Sequence, residues 1–322
     1  MTPLRSLDEL LAVVPYLLGF HPVGSAVLLG LRDKRIVFQV RGDLPPPVEA
    51  SRFAEYHAEL LVRQRAASAV VLGYGAGPAV TPVVRRLQAA VEARGIAVLD
   101  ALRVEDGRYW SYLCHDPACC PPDGQPYDAA THPLALAAVM DGYVALPSRQ
   151  ALARRFAPVA GPARLAMDEA TRRAGERLAA LVERHPGGAG TVVGSAGIAA
   201  VDAAIVRQRN GGRLTDDEVA WLTAVLVHPP VRDHACDSIG GNLGTHIGLW
   251  TDVLRRAHPD LAAAPGALLA FAAWCAGEGV VASIALDRAL KADPEDRMAL
   301  LVARALAGGL SPAEWQAAHA TA

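Results

Sequence analysis

The sequence lacks several features that would identify a function directly. No catalytic signature of high specificity occurs in its 322 residues, and a net charge of −2 provides no broad attraction to nucleic acid or to acidic membranes. The N-terminus has no basic region followed by a small-residue cleavage site, so we expect no signal peptide. These absences argue against a nucleic-acid partner and against secretion.

Long apolar runs and lysines are also scarce. The longest apolar stretches, such as residues 262–276, fall short of the roughly 18 to 20 residues that cross a bilayer, so no membrane-spanning helix is expected. Only Lys34 and Lys291 are lysines among the 31 basic residues, which is typical of a GC-rich genome and has no functional meaning. The five cysteines are an odd number, and in the cytoplasm, where we expect the protein, clustered cysteines favour metal or redox chemistry over structural disulfides.

The N-terminal half alternates apolar runs with helical periodicity. Strands are predicted at 25–31, 35–40, 69–72, 96–99, 101–105 and 108–112, and helices at 6–13, 48–65 and 81–94. The first helix is expected to end at Pro15. Asp106-Gly107 tolerates the positive φ angles of a tight hairpin turn. We therefore predict an α/β domain over residues 1–131, with a mixed sheet, hairpins and parallel middle strands.

The C-terminal half is helical almost throughout. Prolines and glycines mark a connecting region at 132–162, and a helix is predicted at 131–139. An all-helical domain is predicted over 163–322. Thr215 and Glu218 have the spacing of a capping box. The segment 274–294 resembles a tetratricopeptide repeat, but only one copy is present, which indicates a single repeat-like helical pair.

The segment 103–127 contains the most distinctive cluster of side chains. Cys114, His115, Cys119 and Cys120 offer three thiolates and an imidazole, which are the ligand types of a four-coordinate zinc site. His132 is a further candidate ligand. The spacing is not that of a zinc knuckle pair, so ordinary loop cysteines and a redox-active or reversible disulfide remain as alternatives.

Weaker site candidates occur elsewhere. The glycine loop 73–77 follows a strand and precedes a helix, but Pro78 stands where the dinucleotide fingerprint needs glycine or alanine, so a turn is the better interpretation. The stretch 228–246 holds three histidines and Cys236. Helical geometry places its polar residues on different faces, which argues against one shared site.

Several motifs resemble a known family. The stretches at 15–31, 40–46, 102–124, 248–259 and 273–294 are similar to those of the DUF4192 family of uncharacterised proteins, found mainly in high-GC Gram-positive bacteria. The resemblance covers nearly the whole chain. It implies a family label and a host group, and no activity or catalytic residues.

Two functional hypotheses follow. The first is a binding or scaffold protein that contacts another protein through its helical domain. The second is a metal-assisted enzyme with a pocket between the two domains, using His21, Arg41, Asp43 or the Cys114 loop. An enzyme would need a concave pocket with convergent polar groups, whereas a binding module would expose an apolar groove.

Overall fold

The chain contains two structural units. The computed structural model describes residues 6–33, 35–129 and 131–315. Internal contacts divide the chain into Met1–Leu152 and Ala153–Ala322, and this division falls inside the segment 132–162 that is predicted to connect two domains. The first unit carries a mixed sheet and the second is built mostly from helices, which confirms the predicted fold class.

The first unit is organised around a six-stranded sheet of order β2-β1-β3-β4-β5-β6. The strands are β1 Ser25–Arg32, β2 Arg35–Asp43, β3 Ser68–Tyr74, β4 Ala97–Glu105, β5 Arg108–Ser111 and β6 Gln125–Pro126; the helices are α1 Leu7–Leu18, α2 Ala50–Arg63, α3 Gly77–Glu92 and α4 Pro133–Met140. A further short helix, α5 Arg149–Arg154, includes the division between the units. β1 is antiparallel to β2 and β3, while β3 is parallel to β4. β2, β3 and β4 therefore run in one direction, with α2 and α3 as their crossovers.

The centre of this sheet is buried on both faces. Leu28 and Val71 pack in one cluster with Leu61 of α2 and Val84 of α3. The alternating residues, such as Leu29, point to the opposite face and are also buried. Burial on both faces explains why β1 and β3 appear in the sequence as continuous apolar runs.

Two predicted boundaries in this unit are wrong. α1 does not end at Pro15 but continues to Leu18. Pro15 lies on the buried side of the helix, and its burial offsets the hydrogen bond that proline cannot donate. Gly19 then ends the helix with a φ of 78°. The strands predicted at 96–99 and 101–105 are one strand, β4. Its pairing with β3 shifts register at Leu99, so the chain bulges there without breaking.

The second unit consists mainly of helices with short connections. They are α6 Pro162–Glu183, α7 Ala189–Arg209, α8 Asp216–Val225, α9 Pro229–Asp237, α10 Leu243–Arg256, α11 Ala263–Cys275, α12 Gly279–Ala292 and α13 Arg297–Ala307. The predicted capping box is present, with Thr215 and Glu218 bonded reciprocally. Residues 316–322 of the predicted all-helical domain lie outside the described residues. α11 and α12 form the predicted helical pair, in which Gly266 lies against Ala289.

One helix of the second unit is distinguished by its length and apolar composition. α7 is long and apolar enough to cross a membrane by length and composition, with a hydropathy of 1.7 over its most apolar window. Its sequence does not form one continuous apolar run, because Thr191, Ser195 and Asp202 interrupt it. Only 28% of that window is buried within the structure, so the helix leaves much of its surface uncovered.

Candidate metal centre

The cysteine loop is carried by a hairpin at the edge of the sheet. β4 and β5 pair in antiparallel register around Asp106 and Gly107, whose φ angles of 47° and 72° are those of a tight hairpin turn, as predicted. The chain leaves β5 at Ser111 and returns as β6 at Gln125. The hairpin thus fixes both ends of a loop that contains three of the five cysteines.

Three sulfur atoms converge in this loop. The Sγ atoms of Cys114, Cys119 and Cys120 all lie within 4.8 Å of one another. The chain turns sharply between them, because the backbone N–H groups of Cys119 and Cys120 both donate to the carbonyl of Asp116, at 3.1 and 2.7 Å. This turn overcomes the divergence expected of two adjacent side chains.

The sulfur geometry fits a zinc ion. With zinc–sulfur bonds of about 2.3 Å, a tetrahedral site places its sulfurs roughly 3.8 Å apart. Separations of at most 4.8 Å therefore need only a small closure of the loop. Cys114 and Cys120 are half-buried and Cys119 is exposed, so the cluster is open to an ion from solvent.

Ser111 positions the first cysteine. Its hydroxyl donates to Asp100 Oδ1 at 2.7 Å and accepts the backbone N–H groups of Leu113 and Cys114, both at 3.1 Å. Burial raises the pKa of Asp100, while the hydrogen bonds from Ser111 and Ala101 act in the opposite direction. Asp100, which follows the bulge at Leu99 in β4, thus anchors the start of the loop through Ser111.

Trp110 and Arg108 hold the returning part of the loop. Trp110 Nε1 donates to the carbonyl of Pro122 at 2.9 Å, and Arg108 donates to the carbonyl of Gly124 at the same distance. Arg103 covers the Trp110 ring, with its guanidinium carbon 3.5 Å from the ring centroid. The prediction from the sequence did not include these residues as supports of the loop, although an aromatic residue on the strand before a Pro-Pro-Asp-Gly turn is a signal for such a contact.

The pKa values of Cys114 and Cys120 shift in opposite directions. A hydrogen bond from the backbone N–H of Asp116 lowers the pKa of Cys114, with a smaller contribution from Cys120. Burial raises the pKa of Cys120 to about 12, and its thiol neighbours add to the increase. Cys114 is therefore the first of this pair to become a thiolate.

The other predicted ligands lie outside the sulfur cluster. His115 is exposed and is not part of the group of converging ligand atoms, although it follows Cys114 directly. His132 caps α4, where its Nδ1 accepts the backbone N–H of Leu134 at 3.2 Å. Within the described residues, Cys114, Cys119 and Cys120 form the one group of three or more His, Cys, Asp or Glu side chains close enough to hold a metal.

Two of the residues considered for the enzyme pocket, Arg41 and Asp43, are used structurally. Arg41 donates to Ser25 Oγ at 2.6 Å and pairs with Asp43 at 2.6 Å. The Ser25 hydroxyl donates to the carbonyl of Val23 at 2.7 Å. His21 is exposed. The buried Ser25 is thereby committed to local hydrogen bonds.

The histidines of the segment 228–246 do not form one site. His228 Nε2 donates to the carbonyl of Gly190 at 2.8 Å, and His234 bonds to Asp202 at 2.8 Å. His246 is buried, and its Nδ1 has no hydrogen-bond partner within the described residues. His228 and His234 therefore bond to different partners.

Comparisons with known proteins give a family and no activity. The family model described as "Domain of unknown function (DUF4192)" matches residues 8–313, which is nearly the whole chain. No curated protein and no solved structure matches the chain.

Proposed function

We propose that this chain, which belongs to the DUF4192 family, binds one zinc ion through Cys114, Cys119 and Cys120. The observation that carries the proposal is the convergence of three sulfur atoms within 4.8 Å in a sharply turned loop. His115 completes the four ligands, because it is exposed and adjacent to Cys114 and can rotate towards the ion. A Cys₃His set is typical of structural zinc.

The test uses cobalt as a spectroscopic substitute for zinc. Cobalt(II) added to metal-free protein should give thiolate-to-cobalt charge-transfer absorption, which Cys114→Ser and Cys119→Ser should each weaken. Cys236→Ser, in the helical unit, is the matched control and should leave the spectrum unchanged. An identical spectrum in Cys114→Ser and Cys236→Ser proteins would refute the site. An unchanged spectrum in His115→Ala protein would show that solvent, and not His115, occupies the fourth coordination position of the ion.

We further infer that the zinc ion is structural and that the chain acts as a binding protein. Catalytic zinc sites use ligand sets such as His₃, His₂Glu or Cys₂His and keep an open position for water. Three thiolates give the ion a net charge of −1, which disfavours ionisation of a bound water. In the helical unit, only 28% of the most apolar window of α7 is buried, and the exposed Ala199, Ala203 and Val206 leave apolar groups available for a contact with another molecule.

The metal-assisted enzyme is the competing function. It predicts that zinc-loaded protein turns over generic ester or phosphoester substrates and that Cys114→Ser abolishes the turnover. The binding role predicts no turnover by either protein. We also propose a cytoplasmic location, because a reducing compartment keeps the ligand thiols free for the ion.

A further inference from the structure

A cavity that is open to solvent on one side lies where α6, α7 and α8 meet in the helical unit. Its volume is about 270 Å³. One wall is formed by small side chains of α7, and apolar residues contributed by α8 and the segment before it complete the lining: Ala196, Ala199, Ala200, Ala203, Leu214 and Trp221. Two arginines, one from α6 and one from α7, stand among these apolar residues.

The charges around the cavity do not cancel. Arg207 donates to Glu218 at 2.9 Å, and Glu218 also accepts the backbone N–H of Thr215 at 2.8 Å. Arg177 has neither a hydrogen bond nor an ion pair within the described part of the chain. The lining therefore carries one positive charge in excess.

Arg177 is exposed and stacks on an aromatic ring. Its guanidinium carbon lies 3.9 Å from the centroid of the Trp221 ring. Trp221 is 6% exposed, so the ring forms a fixed surface under the cation. Stacking on a ring leaves the N–H groups at the edge of a guanidinium free to donate, and a carboxylate is the acceptor that matches them.

We propose that this cavity binds a small apolar monocarboxylate, whose carboxylate pairs with Arg177 and whose apolar part packs on the alanines of α7. A volume of 270 Å³ corresponds to roughly nine water-sized volumes at about 30 Å³ each, which is the size of a six-carbon acid. One carboxylate matches the single excess charge. The proposal rests on the binding role inferred for the chain and does not involve the zinc site.

The probe is hexanoate, titrated into the full-length zinc-loaded protein and followed by ligand-observed NMR. Binding should saturate, and Arg177→Gln should weaken it at least tenfold. Arg172→Gln is the matched control, because Arg172 lies on the same helix but pairs with Glu169 and Glu176 outside the cavity. Hexanol and hexylammonium, which have the same chain without the negative charge, should bind at least tenfold more weakly than hexanoate.

A second variant separates loss of the site from loss of the fold. Ala200→Leu fills the cavity from the half-buried face of α7 and should abolish binding while the circular dichroism spectrum is unchanged. Equal affinity for hexanoate in the Arg177→Gln and Arg172→Gln proteins, equal binding of hexanol, or no saturable binding to the wild type would overturn the proposal. Such a failure would reject this ligand class, whereas turnover by zinc-loaded protein would reject the binding role itself.

Discussion

Replacing Gly124 by alanine should destabilise the cysteine loop without touching a cysteine. Gly124 has a φ of 80°, and an added Cβ would lie 2.5 Å from Cε2 of Trp110. The substitution therefore strains the backbone and also displaces the ring. Because Trp110 bonds to Pro122 and stacks under Arg103, movement of the ring weakens both contacts.

The magnitude of this effect is the sum of three contributions. Placing alanine in the left-handed region costs about 1 to 2 kcal/mol. Loss of the Trp110 hydrogen bond adds about 1 kcal/mol. A weakened cation–π contact adds about 0.5 to 1 kcal/mol. The expected loss in the free energy of unfolding is thus about 3 kcal/mol, of which about half comes from the ring.

Gly142 provides the matched control. Its φ of 87° imposes a similar backbone strain, but nothing lies within 4 Å of an added Cβ. The assay is urea unfolding of both variants, together with a zinc titration. Gly124→Ala should lose about 1.5 kcal/mol more than Gly142→Ala and should bind zinc more weakly. Equal losses in the two variants, with equal zinc affinity, would refute the packing of Trp110 over the loop.

Two further predictions concern helix packing and pH. Gly197→Ala should destabilise the helical unit by about 1 to 3 kcal/mol in urea unfolding, because the added Cβ would lie 2.4 Å from Val231. Gly175→Ala is the control: its added Cβ meets no atom within 4 Å, so this variant should be neutral or stabilising. A larger loss of stability in Gly175→Ala than in Gly197→Ala would contradict this packing. His57 is buried and its pKa is lowered by desolvation, so the unfolded chain binds more protons and stability should fall as the pH drops through about 6.5. Urea midpoints at about pH 7.5 and 5.5 should therefore differ less in His57→Phe protein than in the wild type, and an equal difference would show that His57 does not contribute.

Local signals in the sequence predict much of the architecture. Asp106-Gly107 locates the hairpin because few residue pairs accept two positive φ angles. Thr215 and Glu218 locate the start of α8 through their mutual hydrogen bonds. Each of these signals acts within a few residues, so no tertiary contact is needed to interpret it.

Features that depend on tertiary contacts cannot be fixed from local sequence patterns alone. The path of α1 through Pro15 depends on burial, and the continuity of β4 at Leu99 depends on its partner strand. The convergence of the three sulfurs depends on a turn around Asp116, which the spacing of the cysteines does not specify. The positive charge of Arg177 is unbalanced because the nearby Glu218 bonds to Arg207 and Thr215, and these pairs depend on the folded structure.

Elemental analysis tests the central claim most directly. Protein purified from the cytoplasm without chelators should contain one equivalent of zinc, and the Cys114→Ser, Cys119→Ser double variant should contain none while remaining folded. Trp110 and Arg108 hold the returning part of the loop without the ion, so loss of zinc should leave the sheet intact. Wild-type protein that is fully folded, fully reduced and free of metal would contradict the account.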